Sequence, residues 1–100
     1  MQTARDVDRQ WLADFCRRRG IRKLAVFGSV LREDFGPESD IDVLVSFEPG
    51  RFVGFSIFEM EAELSQAFGG RRVDLVSEKY LNPRLRERIL ADAEVWYEEG

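Results

Sequence analysis

Histidine is missing from this chain, cysteine occurs once, at Cys16, and there is no CxxC pair. The usual zinc sites are thereby excluded, because they draw on Cys and His ligands, and a lone cysteine forms no internal disulfide. A reducing, cytoplasmic setting is the expectation. Positive charge is also in short supply: 15 Lys and Arg against 19 Asp and Glu leave a net charge of −4. Neutralising a nucleic-acid backbone needs a dense positive surface, so no direct nucleic-acid binding is expected, and small molecules or proteins are the expected partners. The opening MQTARDVDRQ lacks the apolar core of a signal peptide, and no run approaches the roughly 18 apolar residues of a membrane span, so no membrane association is expected. Without a repeat or a Gly/Ser/Pro-rich linker, residues 1–100 read as one domain with a single core.

What is present is a clear alternation of helix and strand periods. Val7, Trp11 and Phe15, widened by Leu12 and Cys16, predict an amphipathic helix over residues 4–19, closed by Arg17-Arg18-Arg19-Gly20. Lys23 to Phe27 predicts a buried strand ending at Gly28. Ser29 then caps a short helix through about Asp34, which Gly36-Pro37 breaks. A second strand runs from about Ile41 to Phe47 and turns at Glu48-Pro49-Gly50. Ile57, Met60, Leu64 and Ala67 predict a core-facing helix from about Phe55 to Phe68, with Phe55, Phe58 and Phe68 read as core aromatics rather than a base-stacking platform. Arg72 to Val76 predicts a third strand. Asn82-Pro83 opens a last helix carrying Leu85, Ile89 and Ala93, and Glu94 to Tyr97 is either a fourth strand or the helix tail. The predicted class is α/β or α+β, a single sheet covered by helices.

Three features carry chemistry. Gly28-Ser29 sits where a strand opens into a helix, a place for capping and equally a place where free N–H groups and the helix dipole attract phosphate. Asp40 and Asp42 alternate with Ile41 and Val43, so both carboxylates fall on one strand face. Two like charges there are unfavourable without a positive partner. They are either solvated or two of the oxygen ligands that magnesium takes, the rest being water and substrate phosphate. Asp74 lies inside the apolar VDLV, as the partner of Arg71, Arg72 or Lys79 in a salt bridge or, with the third strand beside the second, as a third carboxylate of a two-cation cluster.

GSVLREDFGPESDID resembles the Gly-Ser, ten residues, Asp-x-Asp signature of the polymerase-β-like nucleotidyltransferases, and FGS, Arg32, Asp34-Phe35, SDIDVLV and FEPG all look like its minimal members, the MNT proteins. The resemblance covers nearly the whole chain. Leu31 and Glu33 depart from the small residues common there, and no additional acceptor domain is present in these 100 residues.

The resemblance implies a mixed sheet flanked by helices. Gly28 and Ser29 would hold the β- and γ-phosphates of ATP, the substrate, with Arg32 and Ser39 as further nucleotide contacts. Asp40, Asp42 and Asp74 would be both the catalytic carboxylates and the metal ligands, holding Mg2+ at two sites, with Asp74 drawing the proton from the acceptor hydroxyl. Stand-alone members resemble the antitoxin half of HEPN/MNT toxin–antitoxin pairs, so the implied function is AMP transfer (AMPylation) to a tyrosine of a HEPN toxin in a hetero-complex. Alternatives are an antitoxin that neutralises by binding alone and a nucleotidyltransferase acting on a small molecule, the latter weakened by the missing second domain.

Overall fold

Asp8 sets the first boundary. Its carboxylate accepts the backbone N–H groups of Gln10, at 2.9 Å, and Trp11, at 3.3 Å, capping helix α1 at Arg9–Arg19. The helix therefore starts later than the predicted residue 4, because the cap rather than the apolar spacing decides where intrahelical bonding begins. It ends at Gly20, whose φ of 71° lets its N–H turn back to the Arg17 and Cys16 carbonyls. That turn leads directly into strand β1, which begins at Ile21 rather than Lys23. These coordinates come from a computed structural model and describe residues 7–28 and 40–99.

Strand β1, Ile21–Phe27, pairs antiparallel with β2, Ile41–Phe47. Helix α2, Ser56–Ala67, leads to β3, Val73–Ser77, which lies parallel to β2. A 3-10 turn at Glu78–Tyr80 and helix α3, Pro83–Asp92, precede β4, Glu94–Glu98, antiparallel to β1. The sheet order is β3-β2-β1-β4, a mixed sheet as the resemblance implies. The alternative between fourth strand and helix tail is thus settled as strand, by pairing to a segment seventy residues away that periodicity cannot see.

Alternation sends one face of the strands into the core, although the paired Ala25 and Leu44 on the other face are buried too. Leu24, Val26, Ile41, Val43, Val45, Val73, Leu75 and Trp96 build the core with Leu12, Phe15 and Cys16 of α1 and Met60 and Leu64 of α2. Removing this apolar surface from water is the main stabilising contribution. Trp11 stacks on Phe15 with ring centroids 5.3 Å apart, extending the core to the helix rim. Burial pushes the Cys16 thiol up to about 12 against the opposing pull of the Arg17 guanidinium, so it packs as a small apolar group and is no nucleophile.

One expectation fails. Phe55 and Phe58 are not core: they are 86% and 64% exposed and stack on each other, while Phe68 is buried against Trp96. They lie off the arc of Met60 and Leu64, and helical periodicity, not apolar character, decides which side chains the sheet receives. The last helix has no buried residue, Leu85 being half-exposed. No helix among the described residues is long and apolar enough to cross a membrane.

Candidate functional site at the head of the sheet

The face opposite the core holds the acidic residues. Residues directly across a ladder share a face, so Phe27, Asp42 and Asp74 align across β1, β2 and β3. Asp42 and Asp74 are direct partners in the parallel ladder. The register is locked at its start by the Ile41 N–H donating to the Arg72 carbonyl at 2.9 Å. Asp40, two residues before Asp42 and exposed, falls on the same side by alternation.

Electrostatics reports the same proximity. The carboxyl of Asp42 is raised above its usual range first by burial and then by the like charges of Asp74 and Asp40. Among the described residues no three carboxylates stand closed around one point as a finished ligand set. What the backbone fixes is a half-buried acid with two further acids facing it, a local excess of negative charge that a divalent cation relieves. The donor set is all oxygen, which suits magnesium.

Gly28 completes this corner. Its φ is +81°, a left-handed conformation that side chains disfavour, and a Cβ built there would stand 2.5 Å from Asp42 Oδ2. The backbone at the end of β1 therefore runs directly under the Asp42 carboxylate, and only glycine lets it. Of the residues that the sequence singles out, Gly28, Asp40, Asp42 and Asp74 come together; Ser29, Arg32 and Ser39, with the short helix expected after Ser29, lie outside the described residues.

The salt bridge anticipated for Asp74 also exists. Arg72 Nε lies 3.7 Å from Asp74 Oδ1, with both side chains substantially exposed. Such a pair is worth little in water and leaves the carboxylate available, so the structural and the ligand readings of Asp74 are compatible.

Two cavities lie at opposite ends of the sheet, and one of them adjoins the site. The larger, about 990 Å3, opens at the other ends of β2 and β3, between Ser46, Phe52, Ile57, Glu78 and Tyr80, and touches none of the singled-out residues. A smaller one, about 230 Å3, lies against Gly28 and is walled by Leu85, Arg88, Ile89 and Asp92 of α3. The apolar step of Leu85, Ile89 and Ala93 predicts that helix, and nothing in that spacing marks its face as a cavity wall.

Known proteins resemble this chain in sequence and fold. A nucleotidyltransferase domain model matches residues 9–96. The protein adenylyltransferase MntA of Thermococcus cleftensis is 36% identical over 75 residues, 75% of this chain and 74% of the relative. The solved structure of a proposed minimal nucleotidyltransferase superposes with a TM-score of 0.72 at 41% identity over 86% of each chain. At 18% identity, the fold alone is shared with a chain from the complex of a tri-AMPylated Shewanella oneidensis HEPN toxin with an MNT antitoxin, at a TM-score of 0.65 over 90% of this chain and 69% of that one. With a domain match that runs from α1 to β4 and a shared fold at 41% identity, the chain belongs to the nucleotidyltransferase domain family and, within it, to the minimal nucleotidyltransferase (MNT) enzymes.

Proposed function

We propose that the protein is a magnesium-dependent adenylyltransferase that moves AMP from ATP to a tyrosine hydroxyl of a HEPN-type toxin and thereby acts as its antitoxin. The observation that carries this is Asp42 facing Asp74, with Asp40 alongside, directly over the Gly28 turn. The name of the Thermococcus relative and the AMPylated partner in the Shewanella complex support the protein acceptor. In this reading residues 1–100 act as one domain in the cytoplasm, and the acceptor hydroxyl is the partner's.

Each residue has a role in this reading. Gly28 brings its backbone to the β- and γ-phosphates, assisted by Ser29, Arg32 and Ser39 of the sequence signature. Asp40 and Asp42 would hold the cation that accompanies the nucleotide, and Asp74 would hold the second. Bound there, two divalent ions would neutralise charge on the attacking and leaving oxygens. Asp74 accepts the proton of the acceptor hydroxyl as that oxygen bonds to the α-phosphorus and the α–β phosphoanhydride bond breaks, releasing pyrophosphate. Like-charge crowding at Asp42 keeps the site dependent on cations, since three bare carboxylates repel a triphosphate.

A second reading has its own observation. Phe52, Phe55, Phe58 and Tyr80 are exposed large aromatics, and such surface marks protein contact. On this reading the chain neutralises a toxin by covering it. Incubation with the neighbour-encoded HEPN protein, ATP and magnesium separates the two. A partner mass raised by whole AMP units at a tyrosine is the expected result; an inhibited partner of unchanged mass sinks the enzyme reading.

A further inference from the structure

Helix α3 is unusual in burying nothing, yet it is not featureless. Leu85, Arg88, Ile89 and Asp92 follow i, i+3, i+4 and i+7, so they form one face, and that face closes the cavity of about 230 Å3 whose other wall is Phe27 and Gly28. The face is therefore committed to a space beside the Asp42 corner rather than to the core. Leu85 and Ile89 supply apolar surface, and the one cation in that lining is Arg88.

The guanidinium of Arg88 is unspent. Among the described residues it forms no hydrogen bond or ion pair, with Asp92 one turn further on included. Arg86, two residues earlier, is by contrast bound to Glu78 at 3.0 Å. Across the cavity stands the glycine whose left-handed backbone passes under a carboxylate already crowded by two like charges. A polyanion seated at that turn meets acids on the strand side. It needs a cation on the opposite wall, and arginine binds phosphate oxygens in a bidentate fork.

We propose that Arg88 is a phosphate-binding residue, its guanidinium contacting the terminal phosphates of the nucleoside triphosphate at the Gly28 turn. This rests on the nucleotide reading of that turn given above.

Isothermal titration with Mg2+ and ATP tests it on the full chain, with AMP as the probe that lacks the terminal phosphates. Arg88→Ala is expected to weaken ATP binding about tenfold or more, as loss of a charge-assisted hydrogen bond does, while AMP binding stays within about twofold. Arg88→Lys recovers part of the loss. Arg17→Ala, which removes an exposed charge in the last turn of α1, leaves ATP binding unchanged. Unchanged ATP affinity in Arg88→Ala, or equal losses for ATP and AMP, overturns the assignment while leaving the site intact. A wild-type chain that binds no ATP with magnesium overturns the nucleotide reading of Gly28 and the role of Arg88 together.

Discussion

Asp42 and Asp74 sit directly opposite each other in a parallel ladder, two acids from strands whose other faces are packed into the core. Directly opposed like charges destabilise a sheet by roughly 0.2–1 kcal/mol. Asp42→Asn is therefore expected to raise the melting temperature of the metal-free protein while abolishing the further rise that magnesium with ATP gives the wild type. Thermal melts with and without magnesium check both halves, and a variant less stable than wild type in the absence of metal contradicts the account.

Gly28 tolerates no side chain for two reasons that add. Its left-handed φ of +81° costs an L-residue roughly 1–2 kcal/mol, and the Cβ meets Asp42 Oδ2 at 2.5 Å. Gly28→Ala should lower unfolding free energy by at least that amount in urea titrations and move the Asp42 carboxylate, so that stabilisation by magnesium and ATP falls with it. Full retention of both places the turn elsewhere.

Away from the site, Glu78 gives a pH dependence with a definite sign. The Ser46 hydroxyl donates to its carboxylate, and Arg86 adds a hydrogen bond and charge, so its pKa lies below the ordinary 4.5. Between the depressed value and 4.5 the unfolded chain binds more protons, so stability rises with pH in that window. The contribution is complete above 4.5 and disappears as pH falls through the folded-state value. Ser46→Ala should thus be less stable than wild type at neutral pH, with the difference shrinking in acid. A gap that widens below pH 4.5 contradicts the assignment.

β3 is an edge strand, and its outer backbone needs a partner. Glu61 of α2 supplies one, accepting the Leu75 N–H at 2.8 Å. Glu61→Ala leaves that donor to solvent and should cost about 1–2 kcal/mol, with faster hydrogen exchange at Leu75 than at Val43 on the central strand.

The sequence carried most of the strand order in chain and the key conditional: if the third strand lies beside the second, Asp74 faces Asp42. Alternation places Asp40 and Asp42 on one face from local geometry alone, whereas the adjacency of Asp74 depends on a pairing that no local pattern encodes. For the same reason Glu94–Glu98 stayed ambiguous until its pairing with β1 was visible. Phe55 and Phe58 are exposed because angular position on the helix, not aromatic character, decides burial. The helix α3 itself was legible from its Asn82-Pro83 start and apolar step, but its place beside Gly28 depends on tertiary packing that spacing does not encode.

In a parallel ladder, register is one degree of freedom shared by two functions. Sliding β3 past β2 by one residue carries Val73 and Leu75 out of the core and turns Asp74 into it at the same moment. An insertion or deletion of one residue in the Gly69-Gly70 approach to β3 is absorbed by the loop, but the same change inside Val73–Ser77 cannot yield a folded protein with a disarranged site. The hydrophobic face thus acts as a proofreader for the acidic one, and chains that pass it arrive with their carboxylates already aligned.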